Sequence, residues 1–173
     1  YKSINYNIAY ANFKLKEYET AGNSFQSQID NHKSDKLRLN DSYLRLADCR
    51  FVTAKYQPAL DAYVKVIEAK SVDADYAYFQ KALCYGFLSK NTKKIEELNA
   101  FLKLYPESDY QDDVLFELGN TYVADNKPDL ALKTYDKLGT TFKSSSYTSR
   151  AILRQGLIYY NSDRDELALN KFK

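Results

Sequence analysis

A small residue recurs along this chain at a nearly constant interval, and the same residue types follow each copy. The small residues are Ala9, Ala47, Ala82, Gly119 and Gly156, separated by 38, 35, 37 and 37 residues. Twelve places after four of these anchors stands an alanine, whereas the third anchor has Lys94 there. Sixteen places after the anchors stand Phe25, Tyr63, Leu98, Tyr135 and Phe172. Self-similarity at this period is typical of repeat arrays, so the chain is predicted to form one structural unit five times.

Apolar residues around each anchor recur every three or four places, which is the period of an amphipathic helix. After the anchor Gly119 comes a turn-like ADNKPD and then a second periodic stretch, LALKTYDKL. Pro58 and Pro128 stand where a second helix would begin, a position that tolerates a missing N–H group. Each unit is therefore predicted to be a helical hairpin. The small anchor and the alanine let its two helices approach closely, and the ring at the sixteenth place fills the space beside them.

Residues that favour helix N-termini precede the predicted first helices. The capping candidates are Asp41, Asp73, Ser108 and Ser146.

Units of this kind resemble the tetratricopeptide repeat family, and the resemblance covers the whole chain. It implies an all-α fold, a right-handed superhelical α-solenoid of about five helix-turn-helix repeats. The repeats span about 2–38, 40–73, 75–108, 112–145 and 149–173. The third unit fits least well because of Lys94. The last unit stops early and the chain begins without methionine, so we expect a piece of a longer protein.

The period is longer than the family's usual one, and the linker LYPESDYQDDVLFELG joins the third and fourth units. Both features resemble the extended variety found in bacterial envelope proteins, such as outer-membrane assembly lipoproteins and the Tol–Pal coordinator. This resemblance implies a periplasmic or outer-membrane-associated setting.

Composition and motifs argue against several other classes of function. Lysine and arginine total 25 and aspartate and glutamate 23, so no electrostatic reason favours nucleic acid. The sequence has no Gly-rich phosphate loop, GxSxG, HExxH or metal-ligand spacing. We therefore expect no enzyme, no cofactor, no metal and no membrane insertion. The acid pairs Glu96–Glu97 and Asp112–Asp113 are interpreted as surface charges that favour solubility.

The two cysteines, Cys49 and Cys84, occupy equivalent places in consecutive first helices. Packed helix axes lie about 8–10 Å apart, which is too far for a disulfide, so we expect two free, buried thiols. The single histidine, His32, lies in the polar stretch DNHKSDK and is expected at a solvated loop or helix end.

The family resemblance implies that the first helices line a concave groove. Residues three before, one after and four after each anchor share one stripe of the first helix, which we call the first-helix face. Together with two arginines one turn apart in the last unit, it predicts a groove for a protein or peptide. The predicted groove residues are Tyr6, Tyr10, Phe13, Phe51, Phe79, Leu83, Phe116, Asn120, Val123, Arg150, Arg154, Leu157 and Tyr160.

The same stripe also has a structural interpretation, since first helices are pressed between neighbours. On that basis Leu44, Phe79 and Leu153 are expected in the core, and the tyrosines Tyr6, Tyr10 and Tyr160 in the groove.

Three functions stay open from the sequence. The first is a non-catalytic scaffold that binds a partner segment in the groove, with a bacterial envelope complex as its setting. The second is a structural or dimerisation arm that stacks on itself or on the rest of its own chain. The third is the regulatory arm of an enzyme whose catalytic domain lies elsewhere. Arg150 and Arg154 could hold a partner's carboxylate, but the full chaperone-tail clamp of the family has no counterpart, which disfavours that ligand.

Overall fold

The computed structural model describes residues 2–31 and 35–173, and this part of the chain contains ten α-helices and no strand. Two compact units divide the chain, residues 1–90 and 91–173. The helices of the first unit are α1 (Lys2–Lys14), α2 (Tyr18–Asn31), α3 (Lys36–Val52), α4 (Tyr56–Glu68) and α5 (Ala74–Phe87). Those of the second unit are α6 (Asn91–Leu104), α7 (Gln111–Ala124), α8 (Pro128–Thr141), α9 (Tyr147–Tyr160) and α10 (Asp165–Phe172). Within each unit every helix packs against the next one along the chain.

The five anchors lie at equivalent places in the odd-numbered helices, and all five are buried. The residues twelve places later are buried as well, in the even-numbered helices. The predicted all-α helical-repeat solenoid is thus confirmed. Lys94, the exception among the alanines, is accommodated because its ammonium forms an ion pair with Glu117 of α7.

The turn that ends each first helix is the same in all five repeats. The residue seven places after each anchor adopts a left-handed backbone, with φ between 55° and 64°. These residues are Lys16, Ala54, Ser89, Asn126 and Asp163. In each case the next residue's N–H donates to a carbonyl five residues earlier, as in Lys127 N to Tyr122 O at 2.8 Å. This is a helix C-terminus in which orphan carbonyls are satisfied by a left-handed residue.

In the two repeats whose anchor is glycine, an aromatic ring packs directly against the anchor. A Cβ placed on Gly119 would lie 2.7 Å from Tyr135 Cζ and 2.8 Å from its Cδ1. Gly156 has the same relation to Phe172. The predicted close crossing at these glycines is confirmed, and the ring at the sixteenth place occupies the volume of the missing side chain.

Helix starts differ from the predicted caps. Asp41 lies inside α3, because Asp35 caps this helix by accepting a bond from Arg38 N at 3.2 Å. Asp73 and Ser146 stand at N-cap positions without a side-chain cap bond. Ser108 Oγ accepts a hydrogen bond from Tyr110 N just before α7. In the next repeat, 37 residues later, Ser145 Oγ accepts the equivalent bond from the backbone N–H of Tyr147. Pro128 is the first residue of α8, as predicted, and Pro58 is the third of α4.

Cys49 and Cys84 are free and buried, as expected. Burial raises the pKa of each thiol to about 12, so neither behaves as a reactive thiolate. His32 lies outside the described residues. Every described helix is too short or too polar to cross a lipid bilayer.

Candidate functional site

In residues 1–90, the first-helix face begins with two tyrosines, Tyr6 and Tyr10, whose hydroxyls both bond to Asp41. Tyr6 Oη donates to Asp41 Oδ2 at 2.5 Å, and Tyr10 Oη donates to Asp41 Oδ1 at 2.9 Å. Arg45 Nε donates to Tyr10 Oη at 3.1 Å. Burial, reinforced by Asp41, raises the pKa of Tyr6. Both hydroxyls therefore have hydrogen-bond partners within residues 1–90. The half-buried rings are the part of each side chain that faces outward.

Those rings pack on one another and on Phe25 of α2. The Tyr6 and Tyr10 ring centroids are 5.1 Å apart, and Tyr10 meets Phe25 edge to face at 5.5 Å. The Arg45 guanidinium lies 6.0 Å from the Tyr10 ring centroid and 5.9 Å from that of Phe13. Such contacts between a cation and aromatic rings stabilise this half-buried arginine. Tyr6, Tyr10 and Phe13 thus form one continuous, partly exposed aromatic surface.

Asp48, one place after the second anchor, is a buried acceptor of several bonds. Tyr63 and Tyr76 donate to its Oδ1 at 2.9 and 3.1 Å, and Arg45 donates to its Oδ2 at 3.0 Å. Burial raises the pKa of Asp48, and these bonds act in the opposite direction. The carboxylate is satisfied internally, so it holds Arg45 beside the Tyr10 and Phe13 rings and is not offered to a partner.

At the other end of this unit, Phe51 lies half-buried beside an exposed ring that the sequence analysis missed. Phe87 meets Phe51 edge to face at 5.4 Å and stacks on Tyr56 at 4.5 Å. Phe87 directly follows Gly86, which is the residue that the stripe rule selects. The spacing rule therefore selected Gly86, which has no side chain, whereas the exposed ring belongs to the next residue.

Other predicted residues of this unit lie deeper. Phe79 and Leu44 are buried, which confirms the core expectation for both, and Leu83 is half-buried.

In the second unit Phe116 is also buried, but it supports an exposed cation. Its ring stacks on Tyr147 at 4.9 Å, and the Arg150 guanidinium lies 4.7 Å from the Phe116 centroid and 5.3 Å from that of Tyr147. Asn120 is half-buried and its Oδ1 accepts from Tyr135 Oη at 2.8 Å. Burial raises the pKa of Tyr135 to about 12, although the charge of Arg154 acts to lower it.

Two acids of α7 bind residues at the start of α9 and in the loop before it, and are not simply surface charges. Ser145 Oγ donates to Asp112 Oδ2 at 2.5 Å, and Tyr147 Oη donates to Asp113 Oδ1 at 2.6 Å. The bond to Asp113 is the main cause that raises the pKa of Tyr147 to about 12. The solubility interpretation is therefore wrong for this pair, which orients the ring beneath Arg150. The adjacent side chains diverge, and Asp112 reaches the loop before α9 whereas Asp113 reaches the first residue of α9.

Helix α9 carries most of the exposed predicted residues. Arg150, Arg154, Leu157 and Tyr160 are exposed on one helical face, and the Tyr160 side chain is 62% exposed. Val123 of α7 is exposed as well. Leu153, expected in the core, is 53% exposed. That expectation was wrong because no described helix covers this face of α9.

No three histidine, cysteine or acidic side chains of residues 2–31 and 35–173 come together as a metal-binding group. The chemistry of both first-helix faces is thus that of rings, aliphatic side chains and paired charges.

Comparison with known proteins agrees with this picture. Residues 76–108 and 113–145 match the tetratricopeptide repeat family model. Residues 76–108 belong to the third repeat, which fitted the spacing of the anchors least well because Lys94 replaces the alanine. The match shows that this lysine does not remove the repeat from the family pattern. A search of curated protein sequences found no match.

Solved structures share the fold at low sequence identity. The protein MamA from Desulfovibrio magneticus RS-1 superposes with a TM-score of 0.79 at 15% identity, over 99% of this chain and 90% of that one. A tetratricopeptide repeat protein from Parabacteroides merdae has a TM-score of 0.79 at 17% identity, over 98% and 64%. YrrB, a tetratricopeptide repeat protein with an unusual peptide-binding site, has a TM-score of 0.70 at 16% identity, over 96% and 80%. Two segments of the chain thus match the tetratricopeptide repeat model, and the solved structures share the helical-repeat fold over nearly the whole chain.

Proposed function

We propose that this protein is a non-catalytic scaffold that binds a segment of a partner protein on its first-helix face. The tetratricopeptide fold itself suggests a protein-interaction scaffold. One solved neighbour, YrrB, carries a peptide-binding site, which supports the same class of ligand here.

The exposed stripe of α9 carries this proposal. It combines two guanidinium groups with apolar side chains along a single helix face: Arg150, Leu153, Arg154, Leu157 and Tyr160. Exposed apolar side chains arranged in a contiguous patch mark interaction sites, and aromatic and arginine side chains dominate binding energy at such sites.

The arrangement defines the chemistry of the partner segment. Arg150 is supported by two rings, so its guanidinium is held in one place and can bind a carboxylate through two parallel hydrogen bonds. Leu157 and Tyr160, about two and three turns further along α9, would receive apolar side chains of the same segment. An acidic residue followed by apolar residues is therefore the expected ligand pattern.

Affinity capture from native cells with the intact protein as bait tests the proposal. Replacing Tyr160 or Arg154 by alanine should reduce recovery of the partner at least fivefold without changing the melting temperature, because both side chains are exposed. Leu130→Ala is the matched control, since Leu130 is an exposed aliphatic residue of α8. Equal recovery by all four baits would contradict a role for the first-helix face.

A second candidate, self-association, is favoured by a different observation. Helix α10 also exposes apolar side chains, Leu167, Leu169 and Phe172. Light scattering over a concentration series distinguishes the candidates. A stable dimer that Leu169→Ala dissociates would favour the structural arm, and a monomer would favour the scaffold.

A bacterial envelope setting belongs to the same proposal and rests on the resemblance of the linker at residues 104–119. Fractionation of native cells tests it, and recovery of the protein only in the cytosol would contradict it.

A further inference from the structure

A separate pocket lies in the first unit, away from the first-helix face. The N-terminal half of α3 and the end of α4 form it together with the loop that follows α4, and its volume is about 670 Å³. Leu37, Leu39, Tyr43, Ala69 and Val72 give it an apolar lining. Leu37 is 86% exposed and Val72 is 96% exposed. None of the lining residues belongs to the stripe used for the proposed function.

Two polar atoms at this pocket are buried and have no partner. Asn40 Oδ1 and Ser71 Oγ both make no hydrogen bond with any described residue, and both residues line the pocket. A buried polar atom without a partner destabilises a fold. Both atoms are closed to solvent in this conformation, so only a ligand that displaces the side chains around them could supply the missing bonds.

The charged residues in the pocket lining are lysines. Lys36, Lys65 and Lys70 are in its lining, and none of the described residues that line it is acidic. Three acids lie close by on the same elements: Asp73 directly follows Val72, and the other two have cationic partners. Glu68 is paired with Lys65 at 2.8 Å, and Asp35 is paired with Arg38 at 3.5 Å. With Lys65 paired to Glu68, the positive charge of the rim comes from Lys36 and Lys70, and it favours an anionic ligand.

We propose that this pocket binds an extended acidic segment of a partner protein, with an aliphatic side chain inserted between Leu37 and Val72. A backbone N–H of the segment donates to Asn40 Oδ1, and a backbone carbonyl accepts from Ser71 Oγ. Carboxylates beside the aliphatic residue lie near the lysines. A peptide offers the N–H donor, the acceptor, the apolar group and the negative charge together. A fatty acid offers no N–H donor, so it would leave Asn40 Oδ1 unsatisfied.

Amide NMR on the intact protein with a synthetic probe tests this inference. The probe is the capped hexapeptide acetyl-DELLDE-amide. We expect shift changes centred on the amides of Asn40, Ser71 and Val72. Acetyl-KKLLKK-amide and acetyl-DESSDE-amide should bind at least tenfold more weakly, because the first reverses the charge and the second removes the apolar group.

Variants of exposed residues separate this pocket from the rest of the surface. Val72→Asp and Leu37→Asp should each weaken binding of the acidic probe at least tenfold. Val52→Asp is the matched control, since Val52 is an exposed aliphatic residue of α3 outside the pocket. Asn40→Leu should raise the melting temperature and also weaken binding at least threefold. That combination is expected of a polar atom kept for a ligand.

Several results would overturn the inference. They are saturable binding by none of the peptides, equal binding of the lysine peptide, or unchanged binding by Val72→Asp and Leu37→Asp. Octanoate that shifts the same amides with equal or higher affinity would show a site for amphiphiles instead. Shift changes confined to Arg150, Arg154 and Tyr160 would overturn this inference and support the proposed function, so the two fail separately.

Discussion

Gly119 and Tyr135 show how one residue position controls the spacing of two helices. The ring of Tyr135 occupies the volume that a Cβ at Gly119 would need, and its hydroxyl is held by Asn120. The ring cannot move without losing that bond, so the glycine is required for a close approach of α7 and α8.

Gly119→Ala should therefore destabilise the protein by about 1–2 kcal/mol, since the overpacking cost exceeds the gain in helix propensity. Gly139→Ala in α8 is the control. A Cβ there would meet only Thr148 Cγ2, at 4.0 Å, so this change should stabilise by up to about 1 kcal/mol. Urea unfolding of both variants gives the two signs. A stabilised Gly119→Ala variant would contradict the crossing described above.

The hydroxyl of Tyr63 is the second residue-scale case, because it donates to the buried carboxylate of Asp48. Tyr63→Phe should cost about 1–3 kcal/mol at neutral pH, since it removes a bond to a buried charge. Tyr135→Phe is the matched control. Its partner Asn120 is neutral and half-buried, so the cost should be smaller.

The pH dependence of this loss has a definite sign. Burial raises the pKa of Asp48 above its ordinary 3.8, so the penalty for its charge is present above the folded pKa and disappears as pH falls below 3.8. Tyr63→Phe removes a bond that favours the charged form. The stability difference from wild type should therefore shrink as pH falls from 7 to about 3.5. A difference that is constant over this range, measured by urea unfolding, would show that the hydroxyl does not act through the carboxylate.

Residue-scale packing was predictable where it depends on local spacing. Helix periodicity alone placed the five anchors and their partners in the core. The bonds of Tyr6 and Tyr10 to Asp41 were not predictable, because they join residues 35 and 31 places apart through side-chain rotations that periodicity does not describe. The burial of Leu153 failed for a related reason, since it depends on which neighbouring helix covers α9.

At the scale of elements, the recurring left-handed turn ends each first helix without a glycine. Side chains with a Cβ pay about 1–2 kcal/mol in this conformation, yet lysine, alanine, serine, asparagine and aspartate occupy the five positions. The sequence did not reveal this turn, because its five residues share no side-chain chemistry. What the five positions share is the left-handed backbone conformation.

Ala54→Gly should consequently stabilise the protein by about 0.5–1 kcal/mol, which is the strain relieved less the entropy that glycine loses on folding. Ala69→Gly provides the control. Ala69 is exposed at the end of α4 with a right-handed backbone, so glycine there should destabilise slightly. Thermal unfolding of the pair should give melting temperatures on opposite sides of wild type. A lower value for Ala54→Gly would show that the turn is held without strain.

At the scale of the whole molecule, the two compact units each contain their own buried clusters. One cluster surrounds Ala47 and Tyr63 in the first unit, and another surrounds Ala131 and Tyr135 in the second. Repeat arrays owe their stability to the repeats themselves and to nearest-neighbour interfaces. A local defect should therefore spread to adjacent helices and weaken with distance along the chain.

Hydrogen exchange of the intact protein can test this with two variants already described. Gly119→Ala should speed amide exchange in α7 and α8 and leave α1 and α2 near their wild-type rates. Tyr63→Phe should do the reverse, with faster exchange in α3 and α4 and little change in α9 and α10. Each variant thus serves as the control for the other, because both lose stability by similar amounts at different places. Exchange that accelerates uniformly in either variant would mean that the 173 residues open as one cooperative unit, which would contradict the nearest-neighbour behaviour expected of a helical repeat array.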